Sequence, residues 1–237
     1  MPFVAIIFIL IVVVILPFLS LYNLNIIDRL SVVLPPKKKI YIQSAQNQLV
    51  LMGIGLWAVT SSGLNFSYVG TFPTHAIIGG GIFLLAGFTM TALSARSKKM
   101  RDNNPGMDLL KPQTGSERSL WVIVNVVAAT CEEIIFRGAL FVLFYSTTKN
   151  VWMAGAMSAV CFGFSHSIQG PAAIIITMIF GGGLQYLAYL NGGLLLPMIV
   201  HFLYNIGVTV FLAYYEKRHP LPAQSEDEAE TGNGEEY

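Results

Sequence analysis

Long apolar runs alternate with short polar breaks along nearly the whole chain. The first run covers residues 3–22, with no Lys or Arg ahead of it. No small-x-small cleavage site follows, so it reads as a retained first helix rather than a removed leader. Further runs lie at about 41–64, 75–95, 119–146, 151–168, 172–190 and 194–215. Most are close to the roughly 20 residues that cross a hydrocarbon core as a helix, and the run at 119–146 is longer, which permits tilt or an extra cytosolic turn. The breaks are Pro35-Pro36 with Lys37-Lys38-Lys39, an uncharged stretch at 65–74, Gly170-Pro171 and Asn191-Gly192-Gly193, all of them turn-forming or basic. The polar stretch Gln43 to Gln48 opens the second run and is expected at the head-group level. The pattern predicts an all-α, polytopic transmembrane helical bundle of about seven spans.

The long polar loop at 96–118 divides the chain. An N-terminal three-helix membrane part (1–95) precedes it, and a four-helix membrane part (119–215) follows. The tail at 216–237 is acidic, lacks periodicity and reads as disordered. Charge placement then sets the orientation. Counting spans alternately, one side receives Arg29, Lys37, Lys38, Lys39, the basic loop and Lys217-Arg218, whereas the other receives only Lys149. The positive-inside rule puts the N-terminus outside and the basic loop and the C-terminus in the cytosol.

Composition agrees with a membrane class: 54% of the 237 residues are hydrophobic and only 11% charged, against about 25% charged in soluble domains. Cys131 and Cys161 both lie in apolar segments without CxxC spacing, which argues against a disulfide framework or a zinc knuckle. Nothing in the charge pattern points to nucleic acid.

Against this background Cys131-Glu132-Glu133-Ile134-Ile135-Phe136-Arg137-Gly138 stands out in the middle of the fourth run. Each charge at mid-membrane costs roughly 2.5–3.5 kcal/mol on insertion scales. Glu133 and Arg137 are four apart and share a helix face, the carboxylate N-terminal to the cation, which is the better order. Glu132 lies on a different face with no local cation, so it is protonated or partnered from another helix. Phe162 and His166, and likewise His201 and Asn205, are each four apart and share faces. His75 at a span boundary and His219 in the tail read as interfacial or solvated. Polar residues within spans face the bundle interior. Converging there, a carboxylate, a carboxylate–guanidinium pair, two imidazoles and a carboxamide suit hydrolysis. The carboxylate and an imidazole can deprotonate water, and amide or cationic donors can stabilise a tetrahedral oxyanion. Glu, His, His and Asn205 could equally hold zinc, although no HExxH motif is present. Residue chemistry alone leaves metal and metal-free hydrolysis level. It also leaves a proton- or ion-coupled transporter open, since carboxylates and histidines mark such paths.

Three ordered motifs, Glu132-Glu133-x-x-x-Arg137, Phe162-x-x-x-His166 and His201-x-x-x-Asn205, together resemble the CAAX protease and bacteriocin-processing family of intramembrane glutamate endopeptidases. The likeness extends to Phe136, Gly138, Gly193 and Pro197 and covers about 119–210. It implies a peptidase without metal cofactor, in which Glu132 and His166 activate water, His201 and Asn205 stabilise the oxyanion, and Glu133 and Arg137 support them. Phe162 becomes a candidate substrate contact. The implied substrate is a membrane-associated, prenylated CAAX-type peptide cut near its C-terminus. The implied setting is the plasma membrane in a prokaryote or the endoplasmic reticulum in a eukaryote. Relatives linked to bacteriocin immunity keep a non-catalytic or scaffold role as an alternative.

Overall fold

The structure, a computed structural model, describes residues 1–29, 35–96 and 111–218. The inner part of the basic loop (97–110) and the acidic tail from 219 onward, including His219, lie outside the described residues. Among the described residues every regular element is helical. In order they are α1 (Phe3–Leu10), a π-helical stretch (Ile11–Ile15), α2 (Leu16–Arg29), α3 (Lys37–Ser61), α4 (Thr74–Arg96) and α5 (Gly115–Glu132). A second π-helical stretch (Glu133–Leu140) runs into α6 (Phe141–Thr148), followed by α7 (Val151–Ser165), a 3₁₀ turn (Ser167–Gln169), α8 (Pro171–Asn191) and α9 (Leu195–Arg218).

The apolar runs map onto these helices. Among the described residues five stretches are long and apolar enough to cross a membrane: Phe3–Tyr22, Thr74–Leu93, Gly115–Thr148, Pro171–Asn191 and Leu195–Tyr215. The two other expected spans are helices of a different character. Helix α3 is long, but its first half carries Lys37-Lys38-Lys39 and Gln43 to Gln48. Helix α7 has 15 residues, short of the roughly 20 that a perpendicular crossing needs.

Two boundaries differ from the expected ones for local reasons. The fourth span begins at Gly115 because Thr114 and Glu117 form a capping box. The Glu117 N–H donates to the Thr114 hydroxyl at 3.2 Å, and the Thr114 N–H donates to the Glu117 carboxylate at 3.1 Å. Two otherwise orphaned amide groups are satisfied, so helix can start in what composition marks as loop. Similarly, Lys37-Lys38-Lys39 forms the first turn of α3, with Pro36 as its N-cap residue. The Lys37 ammonium donates to the Lys111 carbonyl at 2.7 Å, tying the start of α3 to the segment that leads into α5. With helix beginning at Lys37, Gln48 sits about three turns in, midway along α3, rather than in its first turns.

The N-terminal helices and the C-terminal four share one core. Ala5, Phe8 and Val12 of the first helix, Ala58 and Val59 of α3, and Leu140, Leu143, Phe162 and Leu184 belong to a single buried cluster. Gly55 permits the closest approach. A Cβ there would lie 2.9 Å from the Phe8 ring and 3.3 Å from Ala139.

At one end of the bundle Asn191, fully buried, fastens the 64–73 loop to the turn between α8 and α9. Its carboxamide donates to the carbonyls of Val69 (3.0 Å) and Gly193 (3.1 Å) and accepts from the Phe72 N–H (2.9 Å). Phe72 has φ +51°, a left-handed conformation that is unfavourable for a bulky residue and needs outside support. The next residue, Gly192, reverses the chain at φ +67°, where glycine is favoured. Asn191→Ala would strand several buried backbone groups. We expect a loss of roughly 2–3 kcal/mol, read as a lowered thermal midpoint of the detergent-solubilised protein.

Candidate active site

The site grows from a change of helix type. Helix α5 ends at Glu132, and the wider π-helical stretch begins at Glu133, so the backbone expands between the two carboxylates. π-helical turns are rare and concentrate at functional positions. This one is steadied from α7, whose Ser158 hydroxyl donates to the Phe136 carbonyl at 2.6 Å. All eight residues from Glu133 to Leu140 are buried.

Glu133 and Arg137 form an ion pair, with Arg137 Nη1 donating to Glu133 Oε1 at 3.0 Å. Arg137 is 2% exposed. Its Nη2 donates to the Gly181 carbonyl at 3.3 Å, and its Cζ lies 4.1 Å from the centroid of the Phe162 ring. The guanidinium is therefore satisfied by a carboxylate, a carbonyl and a π face, as a buried cation requires. Gly181 makes room: a Cβ there would sit 2.9 Å from Phe162 and 3.3 Å from Arg137 Nη2.

His201, 4% exposed, links the two glutamates. Its Nδ1 donates to Glu133 Oε1 at 2.8 Å, while its Nε2 lies 3.8 Å from Glu132 Oε2. Glu132, expected on a different face from Glu133 and protonated or partnered from another helix, thus has a neighbour on another helix, and that one imidazole reaches both carboxylates. Long side chains on adjacent residues converge on a ring placed between them, and the helix widens at that point. Glu132 is the more open of the pair, its side chain 14% exposed against 0% for Glu133.

Both candidate imidazoles pack against Phe162. His166 packs against it with the rings tilted by 59° and their centroids 4.6 Å apart, and His201 meets it edge-on at 6.1 Å. His166 Nδ1 donates to the Phe162 carbonyl at 2.9 Å, with the Ser165 hydroxyl 3.1 Å away. That bond leaves Nε2 as the ring nitrogen with a free lone pair. Among the described residues no hydrogen bond or ion pair joins His166 to Glu132. Asn205 lies one helical turn beyond His201 on α9, and its side chain makes no hydrogen bond among the described residues. Phe180 completes the wall, edge-on to His201 at 5.5 Å.

One partner escaped the sequence analysis. Gln48 Nε2, on α3, donates to Glu132 Oε1 at 2.8 Å. Expected among head groups, Gln48 instead faces the bundle interior, because α3 starts at Lys37. The available signal was its place as the last polar residue before an apolar run, where intramembrane polar groups turn inward.

Among the described residues no three His, Cys, Asp or Glu side chains form a group able to hold a metal ion. Cys131 and Cys161 are free and buried. A half-open apolar groove between Trp152, Gly155, Gln185 and Tyr189 contains none of the candidate residues.

The clamp on Glu133 generates a prediction. Removing one partner of a buried ion pair costs about 3–5 kcal/mol, because the other charge is left uncompensated. Arg137→Met should lower the thermal midpoint strongly, and adding Glu133→Gln should recover part of the loss. Arg137→Lys should restore little, since one ammonium cannot reproduce the fork to Glu133 and Gly181.

Residues 114–207 match the family model described as type II CAAX prenyl endopeptidase Rce1-like. No curated protein and no solved structure matches the chain. The matched segment starts at the capping box of α5 and ends just past Asn205, so it contains all three motifs together with their geometry. A protease family and a bundle rich in membrane-length apolar helices describe an integral membrane protein. Over residues 114–207 the chain is similar to the type II CAAX prenyl endopeptidase Rce1-like family.

Proposed function

We propose that the chain is an intramembrane, glutamate-dependent endopeptidase that removes the C-terminal residues of prenylated CAAX-type peptides. The observation that carries this reading is the pair of unlike glutamates around His201. One oxygen of Glu133 is shared by Arg137 and His201, whereas Glu132 faces His201 Nε2 across 3.8 Å. That distance exceeds a direct N–H···O bond of about 2.7–3.2 Å. It suits a water lying off the line between the two atoms and bonded to both.

In this mechanism Glu132 takes a proton from that water, assisted by the lone pair on His166 Nε2. The oxygen attacks the carbonyl of the scissile amide, and the carbonyl oxygen becomes an oxyanion. The Asn205 carboxamide donates to it, as does His201 Nε2 when that ring carries a proton on both nitrogens. The proton held by Glu132 then passes to the departing nitrogen and the C–N bond breaks. A carboxylate remains on the prenylated cysteine, and the released peptide carries the new amine. Glu133 and Arg137 hold His201 in register, and Phe162 separates the imidazoles and offers an apolar contact to the substrate. The orientation that places basic loops in the cytosol presents the site to cytosolic lipidated C-termini. Lys37 bonding to Lys111 at one end, and the 64–73 loop bonding to Asn191 at the other, join segments that alternate counting puts on the same side.

A positioned general base contributes about 10²–10⁴-fold. Glu132→Gln should lower cleavage of a farnesylated CAAX peptide by that factor while leaving the thermal midpoint near wild type, with products followed by mass spectrometry. Full activity in the folded variant would refute the role. Activity that survives 1,10-phenanthroline supports the metal-free path, whereas complete, zinc-reversible loss would turn the reading to a metallopeptidase.

A further inference from the structure

Gln48 belongs to α3, outside the family-matched segment 114–207. Its Nε2 donates to Glu132 Oε1 at 2.8 Å. Its Oε1 is buried and has no hydrogen-bond partner. Glu133 Oε2 is likewise buried and unpartnered. Both atoms belong to side chains that touch the same carboxylate cluster. Buried acceptors are nearly always satisfied in a folded protein, by protein groups or by bound water. Two unmatched acceptors beside Glu132 therefore mark a place for O–H or N–H donors brought by a ligand. Water and a substrate amide are the donors a peptide hydrolase would bring.

The chemistry of an amide suits that place. A cation beside Glu132 would neutralise the carboxylate and oppose its taking a proton. A second carboxylate would repel it. A neutral carboxamide fixes one oxygen of Glu132 by donation and leaves the other oxygen facing His201 Nε2. Its own carbonyl remains available to accept from the water on the same side. We infer that Gln48 is a positioning residue for Glu132, orienting the carboxylate through Nε2 and the hydrolytic water through Oε1, so that the N-terminal helices complete the site. The inference rests on the proposed hydrolase function.

The test uses the full chain in detergent or proteoliposomes with a farnesylated CAAX peptide. It compares wild type, Gln48→Met, Gln48→Glu and Glu132→Gln. Gln48→Met keeps length and volume but removes both hydrogen bonds. Gln48→Glu keeps the shape and replaces the donor with an acceptor, and it serves where the Met variant does not fold. Misplacing a reacting group costs up to about 10²-fold. We expect kcat to fall about 10–100-fold in either folded variant, with KM within about twofold of wild type. A folded Gln48 variant with kcat near wild type, or with its loss confined to KM, overturns the inference. Loss of folding in both variants also overturns it, since Gln48 would then be a packing residue. Glu132→Gln separates the two levels. If that variant is inactive while Gln48→Met is unimpaired, the hydrolase reading stands and only the role of Gln48 fails. If Glu132→Gln is fully active, the base assignment itself fails.

Discussion

The interaction on which the rest depends is the sharing of Glu133 Oε1 between Arg137 at 3.0 Å and His201 at 2.8 Å. An ionised carboxylate with no exposure in the middle of an apolar bundle is tolerable only when paired and hydrogen-bonded. Arg137 supplies the charge. His201 supplies a second donor and, by accepting this task, is itself locked in orientation. Because Arg137 also reaches the Gly181 carbonyl, the same group ties the Glu133 helix to α8. A single ionic contact thus sets the relative position of three segments: the π-helical stretch, α8 and α9.

Close approach of those segments follows from small residues and a few hydroxyls rather than from the apolar stripes alone. Gly181 leaves space for Phe162 and the guanidinium, and Gly138 lets the Phe66 ring lie against the helix, where a Cβ would come within 2.7 Å of it. Ser158 satisfies a carbonyl of the widened stretch. In a membrane, apolar surface gains little from leaving lipid, so association relies on close packing and interhelical hydrogen bonds. Asn191 does the same at the bundle end, where it fastens a loop instead of a helix.

Much of this was legible from residue order. Apolar runs marked every helix, because in lipid the backbone has to satisfy its own hydrogen bonds. The Glu133–Arg137 contact followed from four-residue spacing, and the inward turn of His201 followed from its polarity. The misses have a common physical origin: they depend on where a helix begins or how wide it is. Lys37-Lys38-Lys39 read as loop, since basic residues disfavour a helix N-terminus, and this shifted Gln48 from the interior to the head groups. The π-helical widening after Glu132 leaves no mark in a pattern that assumes a constant helical period, so the reach of one imidazole to both glutamates had no sequence signal. Phe162 could be paired with His166 by spacing. That Arg137 and His201 also rest on its ring is a tertiary fact with no sequence signal.

The two adjacent glutamates show how environment, not residue type, divides labour. Carboxylates that differ in burial and partners separate into different roles. Glu133 holds a cation and an imidazole donor on one oxygen and has no exposure, so it is committed to orienting them. Glu132 has one neutral amide donor, a 3.8 Å gap to an imidazole and an exposed edge. Only the second arrangement gives a carboxylate an exposed edge, and with it a route by which water can arrive. On the proposed hydrolase reading, the base is therefore identified by what surrounds Glu132 as much as by the motif that contains it. The neutrality of Gln48 is part of that identification, because a charged partner in its place would make Glu132 resemble Glu133.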